Sequence, residues 1–197
     1  MTDWTSLNYV VVDIEGNGQQ PPDLVEVAAV PIEHGKIGQP QSWLVRPDHP
    51  ITPFVRRIHG ISNEQVADAP VFADIAGELR AVLSGAAFVA HNAPADLGVL
   101  RRKLPEWEPL EVFDTVRLSR RFRPNQASHR LGALVDAFYL ADDLPAGLKP
   151  HRATYDALVT ARLFVMLITK TFGLPLTLED LRTSPPSGGD HEAAALF

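Results

Sequence analysis

The 197-residue sequence contains no cysteine. This absence excludes disulfide bonds, thiolate nucleophiles and zinc sites built on cysteine. Long apolar runs are also missing, and the longest, Leu163 to Ile168, is far too short to cross a bilayer. The first ten residues lack the basic start and apolar core of a secretory signal peptide. We therefore expect a cytoplasmic protein that does not contact a membrane.

The rest of the composition is typical of a single globular domain. Hydrophobic residues make up 45% of the chain and charged residues 21%, which suffices for one sizeable core and not for two. We expect this domain to span residues 1–182. The segment 183–197 begins Thr-Ser-Pro-Pro-Ser-Gly-Gly, a composition that predicts a disordered C-terminal tail.

Apolar periodicity predicts an α/β fold. The first strand, 8–15, is continuously apolar and should lie in the centre of the sheet. Short turns join it to strands at 24–32 and 36–45, which predicts an antiparallel three-strand meander. Two later strands, at 86–90 and 110–113, complete a mixed five-stranded sheet. The flanking helices are predicted at 54–58, after Ser62, and at 72–83, 92–103, 114–121, 129–138 and 152–171.

Two carboxylates follow the first strand in the sequence Val10-Val11-Val12-Asp13-Ile14-Glu15-Gly16. Side chains two residues apart on a strand point to the same face, so Asp13 and Glu15 should project together. Two dehydrated carboxylates on one face repel each other. A divalent cation such as magnesium or manganese would relieve that repulsion. A solvated strand end is the alternative for this pair considered by itself.

A third carboxylate, Asp96, lies in the segment His91-Asn92-Ala93-Pro94-Ala95-Asp96. This segment follows the fourth strand and opens a helix, with Asn92 as a candidate cap and Pro94 in the first turn. An acidic residue in the first turn is also favoured by the helix dipole alone. Asp96 is therefore either a metal ligand or a helix-start residue.

A fourth carboxylate, Asp156, lies on a late helix beside a stripe of packed residues (Ala153, Ala157, Thr160, Phe164 and Leu167). Small alanines bring this helix close to the sheet, where a carboxylate needs a partner. A cation shared with Asp13 and Glu15 would supply one. His151 lies just before the helix, and its ordinary pKa of about 6.5 suits it to take a proton from an attacking water.

The net charge is −6, but the basic residues are clustered. The segment 117–130 has five arginines and no acidic residue, and smaller basic clusters lie at 101–103 and 149–152. Such clusters are either solvated helix faces or a rim that binds a phosphate backbone around an acidic centre. Charge alone does not separate these two interpretations.

The order of these motifs resembles the DEDDh (DnaQ-like) family of 3′–5′ exonucleases. The resemblance covers roughly residues 8–170 and includes Ile58-His59-Gly60-Ile61-Ser62 and Phe113-Asp114-Thr115. A histidine five residues before the last aspartate places the chain on the histidine side of this family. The opening strands resemble the DNA polymerase III epsilon group more than oligoribonuclease. Gly16, Asn17 and Ala95 depart from the threonines and the aromatic residue that the family usually has there.

The resemblance implies a ribonuclease H-like fold and two-metal hydrolysis of phosphodiesters. Asp13, Glu15, Asp96 and Asp156 would hold two Mg²⁺ or Mn²⁺ ions about 3.5–4 Å apart, and His151 would deprotonate the water. The substrate would be nucleic acid, as single strands or unpaired 3′ ends, with DNA favoured over RNA, and nucleoside 5′-monophosphates would be released. Substrate contacts are expected at the loop 16–18 and the segment 59–61, including Ile14, Gly16, His59 and Asn92, whereas Glu26 and Asp114 are taken as structural.

Three hypotheses stay open on the sequence alone. The first is the DNA exonuclease, with a DNA polymerase or sliding clamp as a possible partner. The second is an RNA-trimming exonuclease with the same chemistry. The third is a catalytically inactive nucleic-acid-binding or scaffold domain, which the retention of four carboxylates and His151 disfavours. The last residues, Ala195-Leu196-Phe197, resemble a clamp-binding peptide only faintly, and an ordinary chain end is the simpler interpretation.

Overall fold

The computed structural model describes residues 3–169 and 176–182. These residues form one mixed sheet of six strands, with β1 in its centre. The strand order is β3-β2-β1-β5-β6, and β4 also pairs with β2; β1 pairs antiparallel with β2 and parallel with β5, which in turn pairs parallel with β6. The strands are β1 (Tyr9–Gly16), β2 (Leu24–Glu33), β3 (Lys36–Ile37), β4 (Gln41–Leu44), β5 (Ala87–Ala90) and β6 (Val112–Asp114).

The predicted third strand, 36–45, is two short strands, so the sheet has six strands where five were predicted. Both β3 and β4 pair with β2, but three residues, 38–40, lie opposite the two residues 30–31. One of the two is Pro31 and one of the three is Pro40, and neither has a backbone N–H to donate to the ladder. Gly38 instead donates its N–H to the Pro31 carbonyl at 2.8 Å, and the ladder is interrupted there.

Helices cover both faces of the sheet, and most lie within a residue or two of their predicted bounds. Helix α3 has the predicted bounds, and Ser62 and Gln65 form the predicted capping box at the start of α2. The predicted end of the last long helix, after 169, and the predicted tail lie outside the described residues. The helices are α1 (Pro53–His59), α2 (Asn63–Val66), α3 (Phe72–Leu83), α4 (Ala93–Lys103), α5 (Thr115–Phe122), α6 (Leu131–Phe138), α7 (Ala153–Thr169) and α8 (Leu178–Arg182).

Alternation along β1 divides the core into two layers. Tyr9 and Val11 pack into the layer that contains α7, whereas Val10 and Val12 pack into the layer that contains α3 and α4. Asp13 and Glu15 continue the period of two that begins at Tyr9, so they belong to the α7 face. No helix among the described residues is long and apolar enough to span a membrane.

Candidate active site

Asp13, Glu15 and Asp156 come together where β1 ends and α7 begins. Each offers a carboxylate oxygen, and the three oxygens lie within 4.8 Å of one another. The packed stripe of α7 is buried as predicted, with Ala153 and Ala157 fully inaccessible. These small residues allow the helix to approach the sheet closely, which brings Asp156 to the strand carboxylates. The structure therefore brings together three of the four carboxylates predicted as metal ligands, in a geometry that could hold a cation.

Asp96, the fourth predicted ligand, reaches the same centre from the opposite face of the sheet. It is buried, with 8% exposure, in the first turn of α4. A backbone hydrogen bond from Ile14 to its carboxylate lowers its pKa, although burial has the larger, opposite effect. Among the neighbouring charges, that of Asp96 contributes most to raising the pKa of Asp13. Asp96 therefore lies beside the group of three without belonging to it.

All four carboxyl groups have pKa values above those of isolated carboxyl groups. Burial, with repulsion from Asp156 as the next contribution, raises the pKa of Glu15 to about 8. Burial raises the pKa of Asp96 to about 8 and that of Asp156 to about 6, and it also raises the pKa of Asp13. Carboxyl groups whose pKa values are raised by burial and by neighbouring negative charges are typical of a site that binds a cation.

His151 lies beside this centre in an exposed position, as predicted. It precedes α7 in the left-handed conformation (φ 60°), which is uncommon outside glycine. Its backbone N–H donates to Oδ2 of Asp156 at 2.9 Å, and its charge lowers the pKa of that aspartate. The imidazole is therefore anchored through its own backbone and left accessible to solvent.

The predicted substrate contacts lie around the cluster in different states of exposure. His59 is buried, with 4% exposure, and its Nδ1 accepts the Ile61 N–H at 3.0 Å. Burial lowers the pKa of His59, and the nearby backbone of Gly16 and the charge of Glu26 act in the opposite direction. Asn92 occupies the N-cap position of α4 with φ 70°, and its side chain makes no capping hydrogen bond. Its backbone N–H donates to Asp114 at 3.0 Å instead.

The loop after β1 is fixed from within by Asn17. This residue is fully buried, and its Oδ1 accepts the N–H groups of Gln19 and Asp23 at 3.1 and 2.9 Å. Its Nδ2 donates to the His49 carbonyl at 3.2 Å. Asn17 is therefore engaged inside the loop and has no exposed surface to offer a nucleotide. Gly18, at φ 77°, has no room for a side chain, because a Cβ would lie 2.3 Å from Thr52 Oγ1.

Glu26 pairs with Arg152, 126 residues away, and no local sequence pattern predicts this pairing. Arg152 donates from Nε and Nη2 to the two carboxylate oxygens of Glu26 at 2.9 and 2.5 Å. The Ala153 N–H also donates to this carboxylate, at 3.0 Å. Glu26 is predicted as structural and Arg152 as part of the basic cluster 149–152, because a pairing across such a separation is visible only once α7 lies on the sheet.

The basic clusters differ in the intramolecular contacts they make and in their exposure. Lys103 binds Asp23 at 2.6 Å, Arg101 binds Glu108 at 2.7 Å, and Arg102 donates to the backbone carbonyls of Gly98 and Pro22. The cluster 101–103 therefore ties α4 to its surroundings. In the segment 117–130, three arginines are exposed: Arg117, Arg120 and Arg130.

The fold and the site define an α/β protein with a buried acidic centre at the end of its central strand. Comparison with known proteins identifies the family: a protein family described as exonuclease matches residues 10–164, and the chain belongs to it. The 3′–5′ exonuclease DinG of Bacillus subtilis (strain 168) is 36% identical over 182 residues, which are 88% of this chain. Exodeoxyribonuclease 10 of Escherichia coli (strain K12) is 36% identical over 175 residues, or 89% of this chain.

The chain spans 19% of the length of DinG and 75% of that of exodeoxyribonuclease 10. Among solved structures, exonuclease X in complex with 5′ overhanging duplex DNA superposes with a TM-score of 0.73 and 37% identity. That match covers 88% of this chain and 96% of the exonuclease X chain. These findings confirm the predicted DEDDh-type (DnaQ-like) exonuclease family and its ribonuclease H-like α/β fold.

Proposed function

We propose that the protein is a divalent-metal-dependent 3′–5′ exonuclease that releases nucleoside 5′-monophosphates from single-stranded or unpaired 3′ ends of DNA. The observation that carries the proposal is the cluster of Asp13, Glu15 and Asp156 with Asp96 beside it, in a chain of the exonuclease family. The relatives named exodeoxyribonuclease 10 and exonuclease X, the latter in complex with DNA, support DNA over RNA. A polymerase or clamp partner and a cytoplasmic location stay predictions, as does a domain spanning 1–182.

The donor set fits two hard cations. Asp13, Glu15, Asp96 and Asp156 offer only carboxylate oxygens, which are the ligands that Mg²⁺ and Mn²⁺ prefer. Arg152, the positively charged residue nearest to Asp156 in the sequence, forms an ion pair with Glu26. Bound divalent ions supply charge that stabilises the phosphorane-like transition state and make a water molecule more acidic. The four carboxylates hold that charge at the end of β1 and between the starts of α4 and α7.

His151 acts in this proposal as the general base that takes the proton from the attacking water. Its imidazole is exposed to solvent, and its backbone N–H is hydrogen-bonded to Asp156, so the base can contact water while its backbone is held beside the cluster. Gly16, Ile14, His59 and Asn92 are proposed to border the terminal nucleotide. Of these, His59 would act chiefly through the shape of the cleft, since its ring is almost inaccessible.

The direct test is digestion of oligonucleotides labelled at the 5′ end. Single-stranded DNA, a duplex with an unpaired 3′ end and single-stranded RNA are incubated with Mg²⁺, Mn²⁺ or a chelator. We expect a ladder that shortens from the 3′ end of DNA, needs the metal and disappears in Asp156→Asn. A ladder on RNA alone would establish the RNA-trimming alternative. Absence of a ladder on every substrate, with folded protein and metal present, would favour the inactive binding domain.

A further inference from the structure

Glu26 is a fifth carboxylate at the acidic centre. It lies on β2 directly opposite Glu15 in the antiparallel register, and side chains opposite one another share a face of the sheet. Glu26 is buried, with 6% exposure, and its charge raises the pKa of Glu15 and of Asp13. Two like charges directly opposite in a sheet destabilise it. The structure must therefore compensate the charge of Glu26.

Arg152 compensates this charge through a bidentate ion pair with Glu26. Its Nε and Nη2 bind the two oxygens of Glu26 at 2.9 and 2.5 Å, the geometry in which a guanidinium matches a carboxylate best. The side chain of Glu26 is 7% exposed and that of Arg152 is 41% exposed. The negative charge of the buried Glu26 is therefore neutralised by Arg152, which lies at the more exposed rim of the site.

The same carboxylate also holds the first turn of α7. The Ala153 N–H, one of the helix-start donors that lack an intrahelical acceptor, donates to Glu26 Oε2 at 3.0 Å. Three hydrogen bonds from two consecutive residues thus converge on one side chain of β2. His151 lies immediately before these residues and Asp156 three residues after them, and the His151 N–H closes the turn on Asp156 Oδ2.

We propose that Glu26 and Arg152 are a positioning pair that holds His151 and Asp156 against the strand carboxylates, while keeping the fifth negative charge out of the metal site. This inference rests on the proposed function, because the group it positions is the proposed base and one proposed ligand. Neither residue touches the reacting atoms in this account. Glu26 fixes the turn through hydrogen bonds, and Arg152 cancels the charge that this fixation requires.

The test is a double-mutant cycle of Glu26→Gln, Arg152→Gln and the double variant, with Arg152→Lys to separate charge from geometry. The matched control is Arg182→Gln, because Arg182 binds Glu111 with the same two-pronged geometry, at 2.9 and 2.6 Å, on α8 and just before β6. Each variant is measured for kcat and KM, for Mn²⁺ affinity of the metal-free protein by calorimetry, and for melting temperature.

We expect each single variant to lower kcat by about 10–100-fold, the effect typical of removing an outer partner of a metal site, with KM nearly unchanged.

The affinity for Mn²⁺ should change in opposite directions in the two single variants Glu26→Gln and Arg152→Gln. Glu26→Gln leaves Arg152 uncompensated near the site and weakens Mn²⁺ binding, whereas Arg152→Gln frees the Glu26 charge and strengthens it. The double variant should regain wild-type Mn²⁺ affinity but not wild-type kcat, and Arg152→Lys should keep the affinity while losing rate. Arg182→Gln should change neither quantity.

The inference would be overturned if the single variants lost thermal stability but kept wild-type kcat at a temperature where they are folded. It would also be overturned if both shifted Mn²⁺ affinity in the same direction. A wild-type protein without metal-dependent nuclease activity would contradict the proposed function instead. In that case the opposite shifts of Mn²⁺ affinity still test the charge balance of the pair.

Discussion

Two carboxylates near the ends of neighbouring strands have pKa values that are shifted in opposite directions. Asp23, just before β2, binds Lys103 at 2.6 Å and accepts the backbone N–H groups of Leu24 and Asp48. Burial raises its pKa, but these hydrogen bonds more than offset the effect, so the pKa of Asp23 is lowered. Burial raises the pKa of Asp13, near the end of β1, and the charges of Asp96, Asp156 and Glu15 raise it further.

The difference separates carboxylates that the fold pairs with a lysine or an arginine from carboxylates that it places beside one another. Where the chain supplies a cation, as at Asp23 and Glu26, the carboxylate fixes a loop or a helix. Where it supplies further carboxylates, folding leaves repulsion that protonation or a bound cation removes.

The largest expected effect is on activity. Asp13→Asn should reduce the rate of 3′-end digestion by about 10³-fold, the order of loss when one essential electrostatic group is removed from a site. Asp23→Asn keeps an acceptor in a loop that takes no part in the chemistry, and it should retain most of the wild-type rate. Single-turnover digestion of a labelled DNA strand measures both. Equal losses in the two variants would abolish the distinction.

The same two substitutions should have opposite effects on the stability of the metal-free protein. Asp23→Asn breaks a charged hydrogen-bond network and should lower the free energy of unfolding by about 2 kcal/mol. Asp13→Asn replaces a carboxyl group that folding must either protonate or bury among like charges with a neutral amide, so at pH 8 it should raise the free energy of unfolding. Urea denaturation in the presence of a chelator measures both. Destabilisation by Asp13→Asn under these conditions would contradict the account.

Without metal, stability should fall as the pH rises above 7. The folded-state pKa is about 8 for both Glu15 and Asp96, whereas in the unfolded chain carboxyl pKa values are near ~4. Between these values the folded state binds up to two more protons than the unfolded chain. The free energy of unfolding therefore decreases with pH, by at most about 2.7 kcal/mol per unit, and the slope diminishes as the pH passes about 8.

Buried histidines act in the opposite direction, but only at lower pH. Burial lowers the pKa of His91 to about 4, so its contribution to stability increases with pH up to the unfolded value of about 6.5 and is constant above it. The measurement is therefore the melting temperature between pH 7 and 8.5, with chelator and with saturating Mn²⁺. Metal should remove the decline, and a metal-free melting temperature that rises over this range would contradict the assignment.

The smallest expected effect concerns Asp48, the second carboxylate near Lys103. Its side chain is 73% exposed and lies 3.4 Å from the Lys103 ammonium. Exposed ion pairs contribute little, so Asp48→Ala should change the free energy of unfolding by less than about 0.5 kcal/mol. Its backbone N–H, which binds Asp23, is retained in the variant. A loss as large as that of Asp23→Asn would show that the whole cluster acts as a unit.

Local periodicity was sufficient to predict the elements that carry the site. The period of two along β1 places Asp13 and Glu15 on one face, and the spacing on α7 places Asp156 beside its packed stripe. Both patterns depend on neighbours in the sequence. The split of the third strand was missed because it depends on Pro31 across the sheet as well as on residues 38–40.

Long-range polar contacts could not be predicted in this way. Glu26 and Arg152 are 126 residues apart, and nothing in either local sequence indicates the other. Asn17 lies in a segment with the composition of an exposed turn, yet it is fully buried. Its side-chain amide forms hydrogen bonds with backbone groups of its own loop and of His49. Such contacts are determined by how elements pack, which a single sequence does not reveal.

We expect divalent cations to complete the acidic centre. Calorimetric titration of Mn²⁺ into metal-free protein at pH 7.5, repeated in two buffers of different ionisation enthalpy, tests it most directly. The account predicts saturable binding with release of protons, because the carboxylates with raised pKa must ionise as metal binds, and loss of that binding in Asp13→Asn. Absence of binding, or binding that Asp13→Asn leaves unchanged, would contradict it.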